Sequence, residues 1–226
     1  MNKKNHSTCI LLCGGMSKRM GEDKGSMIIH DKPMIIYTLK TLNYEIDEVI
    51  IVLNDRERIA KYKDIIDYYL HGKFSYKLKL VEDEIKNKGP ISGIMTGLKN
   101  TNNSYSLVIP CDSPYITKKY IKSIFRIKNR IKNDFDILIP YHNNKTDLDN
   151  EINKLMHINH KNFELNLIEP LHGIYNKNLI DNIEKNIESN KLDIKSIIKD
   201  TNTYFINTKN FDSLNFKNIN CPNDLK

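Results

Sequence analysis

The chemistry in this sequence concentrates in one loop, Leu12-Cys13-Gly14-Gly15-Met16-Ser17-Lys18-Arg19-Met20-Gly21-Glu22-Asp23-Lys24. Glycine lacks a Cβ, so backbone N–H groups that follow a strand can close on phosphate oxygens. Arg19 and Lys24 add cations suited to a triphosphate and to the charge on a departing pyrophosphate. The loop is not a Walker A sequence, because Gly25 follows Lys24 and the GK[ST] element is missing; nor is it a GxGxxG fingerprint. Further polar groups, Asn54, Asp83 and Asp112, each follow an apolar run. Asp112 offers the hard carboxylate oxygen that Mg²⁺ prefers. Plainer readings stand beside these. Asp112 before Ser113-Pro114 also fits a helix cap, Asn54 a turn, and Asp83 sits among acidic neighbours in Glu82-Asp83-Glu84.

Alternating strands and helices must hold these groups in place. Cys9–Cys13 reads as a buried parallel strand that stops at Gly14-Gly15. Ser26–Ile29 is a short extended piece, and Pro33 suits the first turn of a helix over Met34–Leu42. Val49–Leu53 is a second buried strand, Arg56–Leu70 a helix and Lys77–Val81 a strand. Gly89-Pro90 breaks the chain before a helix at Ile91–Leu98, whose Ser92, Gly93 and Gly97 point to close backbone packing. Ser106–Ile109 is a strand, Ile116–Lys132 a helix and Ile137–Ile139 a strand. Residues 143–166, rich in Asn, Lys and Asp, lack periodicity and read as an insertion or lid. Then come a strand at Leu171–Tyr175, helices at Leu179–Ser189 and Ile194–Lys199, a late strand at Thr203–Ile206 and a terminal turn over Asn218–Leu225. This alternation predicts one three-layer αβα domain over residues 1–226 with a mainly parallel sheet. In such sheets ligands sit beyond the carboxyl ends of the strands, where the Gly14 loop, Asn54 and Asp112 fall.

Bulk composition narrows the function classes. A chain of 226 residues can bury a substantial core without disulfide staples. The net charge of +7 accompanies Lys and Asn spread along the whole chain, and there is no Trp and no basic cluster interleaved with aromatics. The pattern therefore fits a solvated basic surface and not a nucleic-acid stacking platform. Cys9, Cys13, Cys111 and Cys221 form no CxxC pair, and His157 and His160 lack a third zinc ligand, so a reduced cytoplasmic protein without zinc is expected. The polar start before Cys9 does not fit a signal peptide, and no apolar run is long enough to span a membrane.

The loop resembles the LxGGxSxRMGxDK signature of the molybdenum cofactor guanylyltransferases. Further matches follow in order. Gly89-Pro90-Ile91-Ser92-Gly93-Ile94 is similar to GPLAGI, and Pro110-Cys111-Asp112-Ser113-Pro114 to PCDTP. Pro170-Leu171-His172-Gly173-Ile174-Tyr175 is similar to PLxxxY, and Asn218 to Leu225 to NxNTPEDL. The resemblance implies a Rossmann-like nucleotidyltransferase fold and an enzyme that moves GMP from GTP to the phosphate of molybdopterin, releasing pyrophosphate. It implies that Leu12, Cys13, Gly14 and Gly15 hold the guanine nucleotide and that Lys24 holds its phosphates. Asn54 and Asp83 stand where the family contacts nucleotide, and Asp112 where it binds Mg²⁺. Arg19, Gly89, Gly93, Asn218 and Asn220 correspond to positions near the pterin phosphate and metal. The family resemblance also leaves room for contact with cofactor-assembly or molybdoenzyme-delivery proteins.

The sequence departs from the family pattern in places. Cys13 and Cys221 replace a common Ala and Thr, and Asn190-Lys191-Leu192-Asp193 lacks the usual Gly-x-Arg, where Lys191 or Lys195 could substitute. A phosphate monoester acceptor, with a second pKa of about 6, needs no general base. That agrees with a loop rich in cations and poor in His or Glu bases. Rival readings are nucleotidyl transfer to a sugar phosphate, a phospholactate or a cytidylylated pterin, or a non-catalytic GTP-binding delivery module.

Overall fold

In the computed structural model, which describes residues 7–14, 23–142, 155–157, 167–219 and 224, the first apolar run forms β1 (Thr8–Leu12). Every residue of β1 is buried, as a strand must be when helices cover both faces of its sheet. It lies parallel to and between β4 (Glu48–Leu53) and β6 (Tyr105–Pro110), with Leu12 level with Val52 on one side and Pro110 on the other. The full order is β5 (Lys77–Glu82), β4, β1, β6, β9 (Ile174–Asn176), β7 (Ile137–Tyr141), β10 (Thr203–Asn207) and β8 (Leu155–His157). A separate hairpin pairs β2 (Ile28–Ile29) with β3 (Lys32–Pro33).

Side chains of β1 alternate between two hydrophobic layers, the expected period of two. Cys9 and Leu11 pack with α1 (Met34–Leu42), α2 (Arg56–Leu70) and α4 (Lys118–Arg130). Ile10 and Leu12 pack on the opposite face with α3 (Pro90–Asn100), α5 (Ile180–Glu188) and α6 (Ile194–Lys199). The result is a Rossmann-like three-layer αβα fold, as the alternation predicts. The small residues of α3 explain its tight seat. A Cβ on Gly97 would come within 2.5 Å of Ile10, and one on Gly93 within 3.0 Å of Leu12.

The sheet is parallel from β5 to β6 and again between β7 and β10. β9, however, runs antiparallel to both β6 and β7, and β8 antiparallel to β10. Strand direction depends on the preceding connection, and among the described residues between β7 and β9 there is no helical crossover of the kind parallel pairing requires. The predicted strand over Leu171–Tyr175 is also displaced: Pro170–His172 forms a 3₁₀ turn, and the strand begins at Ile174. Pro170 removes a backbone donor, and Gly173 lets the chain pass so close to β7 that a Cβ would lie 2.7 Å from the Leu138 carbonyl. Within the stretch 143–166 only Leu155–His157 is described, as the edge strand β8; the rest lies outside the described residues.

Candidate active site

Beyond the end of β1 the sheet ladder continues for one more residue, with Cys13 N donating to Val52 O (2.9 Å) and Cys111 N to Leu12 O (3.1 Å). The carbonyls of Cys13 and Gly14 are then tied back. Arg58 Nη1 donates to Cys13 O at 3.4 Å, and Asn54 Nδ2 donates to Gly14 O at 2.7 Å. In a planar trans peptide the N–H points opposite to the preceding C=O. Fixing the Cys13 carbonyl on Arg58 therefore turns the Gly14 N–H to the other side, as an anion-binding turn requires. A Cβ at position 14 would stand 2.5 Å from Asn54 Oδ1, so glycine there leaves the Asn54 amide free to hold the Gly14 carbonyl. Burial, with the Cys111 thiol alongside, pushes the Cys13 thiol well above its ordinary pKa, so it acts as a small apolar group.

Helix α2 reaches back to the far end of the same loop. Asp55 caps it, accepting from Arg58 N at 2.8 Å. Arg58 and Tyr62, four residues apart and so on one face, both meet Asp23: Tyr62 Oη donates to Asp23 Oδ1 at 2.9 Å, and Arg58 Nη1 lies 4.0 Å from the same oxygen. Burial, aided by the neighbouring thiols and the Asp23 carboxylate, pushes the Tyr62 phenol up and keeps it a donor. Held in this way, Asp23 launches a 3₁₀ turn (Lys24–Ser26) against Tyr62 and Cys111. Gly25 in that turn leaves no room for a side chain beside the Tyr62 hydroxyl.

Lys24 then spans the crevice from the loop to the tip of β6, where its Nζ donates to Asp112 Oδ2 at 2.8 Å. The other oxygen, Asp112 Oδ1, is buried and has no hydrogen-bond partner among the described residues. A buried carboxylate oxygen left in that state is costly, and a hard cation is one group that would satisfy it. Among the described residues no three His, Cys, Asp or Glu side chains gather as a metal cage. The arrangement therefore fits Mg²⁺, which typically takes one or two protein carboxylates and completes its shell with water and substrate phosphates.

The remaining predicted residues fall around this pair. Asp83, at the end of β5, is 9% exposed, and its Oδ1 accepts from Ser92 Oγ (2.6 Å) and Thr96 Oγ1 (2.8 Å). It thus anchors the first turns of α3. Gly89 caps α3 at φ 72°, ψ −166°, a conformation essentially reserved for glycine. Gly93 faces Leu12 across the helix–strand contact. Asn218 is exposed, with its Oδ1 accepting from Ser113 Oγ at 2.7 Å, and Ile219 N donates to the Asp112 carbonyl at 2.8 Å. The structure thus gathers Leu12, Cys13, Gly14, Lys24, Asn54, Asp112 and Asn218 at one end of the sheet, with Asp83 and Gly93 behind Leu12. Gly15, Arg19 and Asn220 lie outside the described residues.

Sequence reasoning missed Arg58, Tyr62 and Ser113. A signal for Arg58 was present: a cation in the first turn of a helix opposes the macrodipole, so a partner should hold it. Tyr62 follows from the same face by helical spacing. Ser113 carried no signal apart from its place beside Asp112. Among the described residues no helix is long and apolar enough to cross a membrane.

Comparison with known proteins follows the same outline. The model of the MobA-like NTP transferase domain matches residues 9–204. A probable molybdenum cofactor guanylyltransferase of Methanothermobacter thermautotrophicus is 27% identical over 96% of this chain and 95% of its own length. One from Peptoclostridium acidaminophilum is 31% identical over 90% of this chain and 77% of its own. Among solved structures, molybdopterin-guanine dinucleotide biosynthesis protein A from Archaeoglobus fulgidus superposes with a TM-score of 0.71 at 21% identity, covering 96% of this chain and 94% of that one.

Proposed function

The chain belongs to the MobA-like NTP transferase domain family, and from that premise we propose that it transfers GMP from GTP to the phosphate of molybdopterin, releasing pyrophosphate. The observation that carries this reading is the 2.8 Å contact of Lys24 with Asp112 beside the Cys13 and Gly14 carbonyls, which are tied back by Arg58 and Asn54. That end of the sheet offers backbone donors, a cation and a carboxylate with one unsatisfied oxygen, a combination suited to a nucleoside triphosphate.

In this reading Leu12, Cys13, Gly14 and Gly15 line the guanine nucleotide, and Asn54 holds the loop in shape while bordering the nucleotide. Asp83 acts through α3, whose Gly93 seats the helix against Leu12 and whose Gly89 borders the acceptor side with Asn218 and Asn220. An oxygen of the acceptor phosphate attacks the α-phosphorus of GTP; a new P–O–P bond forms as the bond to the β-phosphate oxygen breaks, and pyrophosphate leaves. The acceptor oxygen is already ionised near neutral pH, so no side chain need take a proton. Positioning and charge neutralisation remain, and Lys24 and Arg19 carry the second task. Asp112 would hold Mg²⁺, which when bound draws together and neutralises phosphate oxygens.

The buried, unpaired Cys9, Cys13 and Cys111 support a reducing compartment such as the cytoplasm. We assign residues 1–226 to one catalytic domain and leave delivery proteins as a further class of partner. Mass spectrometry of the pterin after incubation with GTP and Mg²⁺ tests the reading. A product heavier by one GMP is expected. Pyrophosphate release with a sugar phosphate but not with molybdopterin would replace the acceptor, and no turnover with any acceptor would reduce the chain to a binding module.

A further inference from the structure

Behind the exposed Asn218 lies a buried polar chain that the transfer reaction does not use directly. Ser113 is fully buried and His172 is 1% exposed. The Ser113 hydroxyl has one proton and donates it to Asn218 Oδ1 at 2.7 Å. Its 3.0 Å contact with His172 Nε2 must then be one in which the ring donates. The ring is clamped for that role. Its backbone N–H donates to Glu169 O at 3.1 Å, its carbonyl accepts from the Tyr120 hydroxyl, and Phe216 packs edge-on at 5.4 Å. The nearest carboxylate oxygen, Glu169 Oε2, is 3.8 Å from Nδ1, beyond hydrogen-bond reach, and is drawn elsewhere by His142, whose Nε2 lies 2.7 Å from Glu169 Oε1.

We infer that His172 and Ser113 are positioning residues for the acceptor: the order His172 Nε2–H to Ser113 Oγ–H to Asn218 Oδ1 fixes the Asn218 amide so that its NH₂ faces outward beside Asp112. An outward NH₂ is a donor, and the ligand it suits is an anion, here the acceptor phosphate. The inference rests on the transfer reaction proposed above. The reverse order, with Nδ1 protonated and the amide turned over, would present a carbonyl oxygen instead and repel that phosphate.

Two measurements on the full chain test this. The first is the tautomer of His172, read from ring ¹⁵N and ¹³C shifts in histidine-labelled protein, with His172→Gln assigning the signal. An Nε2–H ring is expected, and an Nδ1–H ring overturns the inference whatever the enzyme does. The second is steady-state kinetics of Ser113→Ala, His172→Leu and His172→Gln. The first two should raise the KM for the acceptor about tenfold with the KM for GTP within twofold of wild type. His172→Gln retains a donor and should recover most of that loss. An unchanged acceptor KM in Ser113→Ala, or equal rises for both substrates, refutes positioning of the acceptor. Absence of transfer in the wild-type chain would instead refute the reaction itself, and the tautomer result would still stand.

Discussion

The guanidinium of Arg58 donates to the Cys13 carbonyl across 3.4 Å and reaches within 4.0 Å of Asp23 Oδ1, so one side chain of α2 joins both ends of the glycine loop. Both contacts run through Nη1 while Nε lies 3.9 Å from Asp55 Oδ2, and a lysine ammonium, a single point charge, does not reproduce that planar arrangement. Arg58→Lys should therefore lower kcat/KM for GTP by about 10-fold to 100-fold, through an ill-shaped loop and a displaced Lys24. Steady-state kinetics with a circular-dichroism melt would check this. An unfolded variant, or one with full activity, would remove Arg58 from this role.

Lys24→Ala deletes the cation facing Asp112 and should cost about 10²–10³ in turnover while the fold survives. Asp112→Asn keeps one carbonyl oxygen but loses the charge, and should need more Mg²⁺ to reach half-maximal rate. Single-turnover assays across a Mg²⁺ series separate the two effects. Wild-type rates in Lys24→Ala would exclude it from charge neutralisation.

At Gly89 an Ala substituent meets no neighbouring atom within 4 Å, yet the backbone stands at φ 72°. Any loss must then come from backbone strain, about 1–3 kcal/mol. For a chain of this size each kcal/mol moves Tm by about 2–4 °C. Calorimetry of Gly89→Ala should show a fall of that order; an unchanged Tm would mean that the cap of α3 relaxes freely.

Burial pushes His172 down to about 4 from an ordinary 6.5. Between those values the unfolded chain binds a proton that the folded chain refuses, so stability rises with pH across that window. The contribution is fully present above pH 6.5 and lost as pH falls towards 4, and amounts to at most about 3 kcal/mol. Denaturant titrations at stepped pH should show this slope in the wild type and a shallower one in His172→Gln. Equal slopes would place the acid sensitivity elsewhere.

Much of the fold could be read from local signals. Pro33 opens α1 and Leu42 ends it as expected; Asp55 and Asp193 cap α2 and α6, and their predicted bounds match those observed. The direction of β9 was not legible, because orientation follows from how a strand is reached and not from its own residues. In the site, Lys24 and Asp112 were legible as charges at loop and strand ends, and they do meet. For Arg58 and Tyr62 the sequence signalled only a helix face in need of a partner; which partner could not be read, since it depends on α2 lying against a loop more than thirty residues earlier in the chain.

Reversal at β9 also sets the width of the working face. Neighbouring strands stand about 4.8 Å apart, so the carboxyl tips of β6 and β7 are separated by about 10 Å instead of one spacing. In that gap β9 brings its amino end to the same edge, and the Pro170–His172 turn forms a floor there. The Pro170–His172 turn, not a strand tip, therefore borders Asp112 and Ser113 on that side, and it does so through the Ser113–His172 contact.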